Sequence, residues 1–206
     1  DFTREVDISS RVKHPSILQF AGYTLSNFKK KPKPAIITTY PSNCTLYKLI
    51  SQDKDLDSKF LSKWDDTKKL ISLYGISSAM LYLHSHNVLH RGLNIENIYL
   101  DDNLYPKLYG FGFSIEVSEH TDETDSINVS KIKGTLRYLS PEILENDDYS
   151  KAGDVYAFAI LAYELFTNEK PFEGLKFGQI FKKVTNGERP ELKDSIPQSF
   201  KNLINR

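Results

Sequence analysis

The sequence predicts an α+β chain, with its strands near the start and helices through most of the rest. Two β-rich runs, Ile17 to Tyr23 and Ala35 to Tyr40, are separated by the Lys/Pro turn KKKPKP. A helical period then runs over Trp64 to His86, and Asp154 to Phe166 is apolar nearly all round, as a helix in the middle of a core should be. Strands followed by a run of helices argue for an α+β arrangement.

Taken in order, Phe2 to Val12 is helix-like and should stop near His14-Pro15, because the residue before a proline is pushed out of the α region. The basic run Lys29 to Lys33 reads as a solvated hairpin loop and not as an anion site. On the long helix Trp64 to His86, Leu70, Tyr74, Ser77 and Leu81 form one stripe with Ile71 and Ile76 beside it. Val88 to Leu89, Ile98 to Leu100 and Pro106 to Leu108 are short strands around the turn Asp101-Asp102-Asn103. Ser114 to Lys133 is polar and acidic without periodicity, so a mobile loop is expected. Asp154 falls in the first turn of its helix, where unpaired amides favour a carboxylate.

Composition fits an intracellular globular chain of one or two domains: 206 residues and 23.7 kDa. Lys+Arg 27 balances Asp+Glu 27, so no net field favours nucleic acid or an anionic membrane. The single Cys44 cannot close an intrachain disulfide, which suits a reducing, cytoplasmic compartment, and it reads as a half-buried residue. Val155 to Phe166, the longest apolar stretch, is interrupted by Glu164 and is far shorter than the roughly 20 residues a membrane helix needs. No secretory signal is visible at the start.

Six ordered segments carry a family resemblance. HRGLNIENIYL (His90 to Leu100) and KLYGFGFS (Lys107 to Ser114) resemble the protein-kinase signatures HRDLKxxNILL and KxxDFGxS. Gly134 to Glu142 resembles the end of an activation segment, with Ser140 where Ala is usual, and DVYAF (Asp154 to Phe158) resembles the start of the helix carrying the lower lobe. Phe2 to Tyr23 resembles the family's αC helix and following strand, with Glu5 at the ion-pair position; Ile36 to Ile50 resembles the fifth strand, hinge and αD. HPSILQFAGY and NGERPEL are similar to the tyrosine-kinase-like group. The resemblance implies a kinase-like fold: residues 1–42 as a partial upper lobe and hinge, and 43–206 as a lower lobe cut within αH. No glycine-rich phosphate loop or strand lysine lies in these residues, so Glu5 is expected to lack its partner and the strand Ala35 to Tyr40 to present an open edge.

The chemistry departs from the pattern. The first signature Asp of the family deprotonates the substrate hydroxyl and the second holds magnesium; Gly92 and Gly110 replace them, and glycine can neither accept a proton nor ligate a hard cation. Asn94 replaces the lysine that steadies the transferred phosphate. Of the remnant motif His90, Arg91, Gly92, Asn97, Gly110, Phe111 and Gly112, His90 is expected to pack under Phe111 and Asn97 to hydrogen-bond the loop. Arg91 ordinarily meets a phosphorylated loop, for which Thr121, Thr124, Ser126, Ser130 and Thr135 are available hydroxyls. Thr38, Thr39 and Tyr40 resemble gatekeeper and hinge, able to take a flat heterocycle. Tyr99 stands where a small aliphatic side chain supports adenine: its ring either fills the purine's space or turns into the core with its hydroxyl bonded. Ser9 replaces a larger spine residue and should leave Phe111 underpacked. Asp154 in the family holds the catalytic loop's backbone.

These departures lead to the expectation of a pseudokinase that binds, scaffolds or regulates without phosphotransfer, holding no metal and needing no cofactor. The alternatives are a divergent kinase using ATP and magnesium weakly, and a nonfunctional fragment. A protein partner is expected through the family's αG region, Pro171 to Asn186, where Phe172, Phe177 and Phe181 add aromatic surface and Phe177 is the best exposed anchor, or through the open strand edge.

Overall fold

A computed structural model describes residues 2–26, 29, 31–40, 44–54, 56, 58–117 and 136–204. The hydroxyls at Thr121, Thr124, Ser126, Ser130 and Thr135, most of the acidic stretch, Lys30 and Pro41 to Asn43 lie outside them. The chain gathers into two compact units, residues 1–117 and 118–206.

In the first unit, helix α1 (Phe2–Arg11) precedes strands β1 (Phe20–Ser26) and β2 (Pro32–Thr38), which pair antiparallel with Tyr23 opposite Ile36. The helix ends one residue before the expected point, and both strands are displaced along the chain from the predicted runs. Ile17, expected inside the first strand, instead makes a lone parallel bridge to Leu108, and Pro32 and Pro34 fall within β2. The prolines are accommodated because, among the described residues, β2 is an edge paired only with β1, where a missing N–H costs no ladder bond. Arg11 bonds both Asp7 (2.8 Å) and Glu116 (2.6 Å) and so ties α1 to a strand a hundred residues on.

Short helices α2 (Leu46–Ile50) and α3 (Ser58–Leu61) lead into α4 (Asp66–Ser85). Asp65 caps α4 by accepting from Lys68 N at 2.9 Å, which leaves Trp64 outside the helix. The stripe marked in the sequence faces out: Leu70, Tyr74 and Leu81 are 45%, 77% and 72% exposed, and Ser77 is exposed with them. The buried face is Leu73, Ile76, Ala79, Met80 and Leu83, spaced at three and four residues. Gly75 decides the rotation: a Cβ there would lie 2.6 Å from Pro106 Cγ and 2.8 Å from Ser16 Oγ, so the helix rests its backbone directly on the next layer.

That layer is built from β3 (Val88–Leu89), β4 (Ile98–Leu100), β5 (Pro106–Leu108) and β6 (Ile115–Glu116). β4 pairs with β5 and β3 with β6, both antiparallel. Asp101 Oδ1 closes the β4–β5 turn by accepting from Asn103 N and Tyr105 N, each at 3.0 Å.

The second unit contains α5 (Pro141–Asn146), α6 (Lys151–Thr167), α7 (Phe177–Thr185) and α8 (Gln198–Ile204). Leu136, Leu139, Ile143, Leu144, Ile180 and Val184 form its core cluster, with Phe172 and Phe181 packed against it. Asp154 and Glu164 of α6 are buried, and Glu164 accepts a hydrogen bond from the Tyr138 hydroxyl. No helix among the described residues is long and apolar enough to cross a membrane.

Candidate functional site

A cleft of about 550 Å³ opens in the first unit between α1, the β1–β2 sheet and the β4–β5 hairpin. This lies within the range of small-molecule sites. Glu5 and Ser9 enter from α1, Phe20 and Ile36 from the strands, Thr38, Thr39 and Tyr40 from the end of β2, Cys44 and Lys48 from the approach to α2 and its first turns, and Tyr99, Tyr109, Gly110 and Phe111 from the far wall. The four residues named from the sequence as heterocycle contacts are therefore brought together. Thr39 N donates to Gln19 O at 2.9 Å, which fixes the backbone there, while the Tyr40 side chain is 89% exposed.

Tyr99 and Tyr109 pair across the cleft wall with ring centroids 4.7 Å apart and planes tilted by 40°. Burial first, then the charge of and hydrogen bond to Tyr99, raise the Tyr109 phenol above its ordinary pKa. Tyr99 lines the cleft, half-buried, and its ring is not turned into the core, which leaves the first of the two alternatives drawn from the sequence. Tyr109 was not singled out there; its place beside Gly110 is the signal that could have found it. Cys44 is half-buried as expected, and burial pushes its thiol up.

Below the cleft, the segment 90–97 is held by its own polar groups. His90 is fully buried, with its ring edge-on to Phe111 at 5.2 Å. Its Nε2 meets Tyr109 O at 3.2 Å and its Nδ1 accepts from Gly92 N at 3.3 Å. The carbonyl demands a proton on Nε2 and the amide demands a lone pair on Nδ1, so the neutral ring is committed on both sides and is not poised as a base. Arg91 is buried with φ 60°, in the left-handed region.

Two asparagine amides converge on Gly92 O: Asn97 Nδ2 at 2.7 Å and Asn94 Nδ2 at 3.2 Å. Asn94 Oδ1 also accepts from Glu96 N and Asn97 N at 2.8 and 3.0 Å, capping the short 3₁₀ turn that follows. The residue standing in for a phosphate-steadying lysine has become a structural cap, and Asn97 makes the loop hydrogen bond expected of it.

The two glycines are not equivalent. A Cβ on Gly92 would meet nothing nearer than 3.7 Å. Gly110 has φ 89° and ψ 51°, and a Cβ there would lie 2.8 to 2.9 Å from Asn97 Cγ, Nδ2 and Oδ1. Gly112 is flanked by Glu5, whose Oε2 would stand 3.4 Å from a Cβ. Burial raises the Glu5 carboxyl above its ordinary pKa. Ser9 is buried in the cleft wall alongside Phe111.

At the two positions where the resemblance places carboxylates, Gly92 and Gly110 carry no side-chain oxygen for a hard cation.

The whole chain, residues 1–206, matches the protein tyrosine and serine/threonine kinase family, and it belongs to that family. It is 33% identical over 206 residues to the serine/threonine/tyrosine-protein kinase HT1 of Arabidopsis thaliana, covering 100% of this chain and 49% of that protein. It is 33% identical over 172 residues to an Aurora kinase of Yarrowia lipolytica (84% of this chain, 41% of that protein). A probable serine/threonine-protein kinase of Dictyostelium discoideum is 30% identical over 205 residues (99% of this chain, 14% of that protein). The chain therefore spans between 14% and 49% of the length of these relatives. The fold is accordingly a protein-kinase-like one, as the signatures implied.

Proposed function

We propose that this chain is a pseudokinase domain of the tyrosine-kinase-like group, an intracellular binding or scaffolding module that transfers no phosphate. Residues 1–42 would be its partial upper lobe with hinge and 43–206 its lower lobe. The observation that carries the proposal is Gly110: it has no carboxylate, and the space a side chain would enter is taken by Asn97. Gly92 adds the loss of the general base, typically worth roughly 10²- to 10⁴-fold in rate. In this reading the cleft takes a flat heterocycle against Thr38, Thr39, Tyr40 and Tyr99 without magnesium, and a protein partner docks through the α7 region. Phe177 supports the latter, being 56% exposed and stacked at 6.5 Å on Phe181, whereas Phe172 and Phe181 are partly buried against the core.

A second reading, a divergent protein kinase of weak activity using ATP and magnesium, is favoured by the relatives, which carry the names of serine/threonine and serine/threonine/tyrosine kinases. Radiolabel transfer from ATP, to the protein itself and to a generic substrate, separates the two when run on the full-length protein with and without magnesium. The pseudokinase reading expects no transfer above background. Magnesium-dependent incorporation that disappears on blocking the cleft would establish the second.

A further inference from the structure

A second cavity, of about 320 Å³, lies in the first unit beside the cleft. Pro15, Ile17 and Leu18 line it from the segment after α1, Asp101 and Lys107 from the β4–β5 hairpin, and Thr39 and Tyr40 from the chain leaving β2. Leu18, Thr39 and Tyr40 border the cleft as well, so the two cavities share a wall, and Thr39 N fixes that wall by donating to Gln19 O at 2.9 Å. A volume at the small end of ligand sites calls for a small occupant.

The polar groups of this cavity suit a dipole better than an ion. Lys107 Nζ donates to Pro15 O at 2.8 Å and pairs with Asp101 Oδ2 at 3.4 Å, both side chains being partly buried. Those contacts use two of the three ammonium N–H groups, and the pair adds no net charge. The remaining N–H needs an acceptor, and the carboxylate oxygen beside it, which can accept more than one hydrogen bond, can take a donor. An amide presents both side by side. His14 engages both ring nitrogens, with Ser16 N and Ser78 Oγ, and so offers the cavity only its ring face. Tyr40, at 89% the most exposed large apolar side chain among the described residues, stands with the exposed Pro15 at the same cavity, and together they supply flat apolar surface for an aromatic ring.

We propose that this cavity is a second ligand site, for a small neutral aromatic amide whose carbonyl accepts from Lys107, whose N–H donates to Asp101 and whose ring lies against Tyr40. It is independent of the heterocycle proposed for the cleft and needs neither phosphate nor metal.

Benzamide is the probe, titrated into the isotopically labelled 206-residue chain and followed residue by residue by NMR. Because the shared wall would respond to either cavity, Gln19, Asp101 and Lys107 report this site, and Tyr99 and Gly110 report the cleft. Saturable shifts are expected at the first group, in roughly the millimolar range for so few atoms. Benzoate and benzylamine carry the same ring with a negative and a positive group; each brings a like charge to one member of the Lys107–Asp101 pair and should bind on the order of tenfold more weakly. Lys107→Met should weaken benzamide about tenfold or more, and Tyr40→Ala, at an exposed position that folding does not depend on, about 2- to 10-fold. Absence of saturable shifts at Lys107, shifts centred on Tyr99 and Gly110, an ion that binds as tightly as benzamide, or unchanged binding in Tyr40→Ala overturns the proposal.

Discussion

Asn97 occupies the place where a Cβ on Gly110 would sit, its Cγ 2.8 Å from that point, while its Nδ2 donates to Gly92 O at 2.7 Å. One amide thereby joins the two positions at which the family's carboxylates stand, and it makes them respond differently to substitution. At Gly92 a Cβ would make only ordinary van der Waals contact, so Gly92→Asp should cost less than Gly110→Asp, its cost being that of bringing a carboxylate to a buried position. Gly110→Asp combines left-handed backbone with a collision and should cost roughly 1–3 kcal/mol. Adding Asn97→Ala to Gly110→Asp should be non-additive, since the collision then disappears. Denaturant midpoints of Gly92→Asp, Gly110→Asp, Asn97→Ala and the double variant Gly110→Asp/Asn97→Ala check this, and equal effects at Gly92 and Gly110 would refute it.

Glu5 gives a pH-dependent prediction. Burial raises its carboxyl in the folded state, so the unfolded chain loses that proton first. The contribution to stability is fully present below the unfolded carboxyl value of about 4.3 and is lost as pH rises through the folded value. Glu5→Gln should therefore raise the melting temperature at neutral pH and change little near pH 4 or below. A variant that melts lower at neutral pH would show that the carboxylate is stabilised by a cation.

His14 has the opposite sign. Its Nδ1 accepts from Ser16 N at 3.1 Å and its Nε2 meets Ser78 Oγ at 3.1 Å, joining the turn after α1 to α4, and burial lowers its pKa. Stability from this contact is present above the unfolded imidazole value of about 6.5 and is lost as pH falls through the lowered folded value. Acid titration of the melting temperature should show this loss in the parent and less of it in His14→Gln. Identical profiles would remove His14 from the account.

Ser140 is the third test of local chemistry. It stands at the N-cap of α5, yet its side chain makes no cap bond, and its buried Oγ has no hydrogen-bond partner among the described residues. Removing a buried hydroxyl that bonds nothing should be neutral or stabilising by up to about 1 kcal/mol, against the usual 0.5–2 kcal/mol loss for removing a working cap. Thermal unfolding of Ser140→Ala decides which.

Tyr138 and Glu164 supply the fourth. The Tyr138 hydroxyl donates to a carboxyl oxygen of the buried Glu164, and removing one partner of a buried hydrogen bond costs about 1–3 kcal/mol. Tyr138→Phe should lose an amount in that range by denaturant unfolding; no loss would mean that the other contacts of Glu164 suffice.

The amino-acid sequence by itself determined the elements that depend on local chemistry. Apolar runs placed β3, β4 and β5, the His14-Pro15 pair ended α1, and the all-apolar pattern marked α6. The signature order also identified the family, along with the two missing carboxylates. Tertiary structure decided whatever depends on neighbours distant in the chain. The outward stripe on α4 is as periodic as the buried one; Gly75 against Pro106 selects which side is covered, and no count along the helix contains that contact. Likewise, Gly92 and Gly110 are the same residue in the sequence, and only the fold sets Asn97 hard against the Cβ position of one and in ordinary contact with that of the other. A side chain's volume is written in the sequence, but the space it must fit is made by residues brought to it in folding.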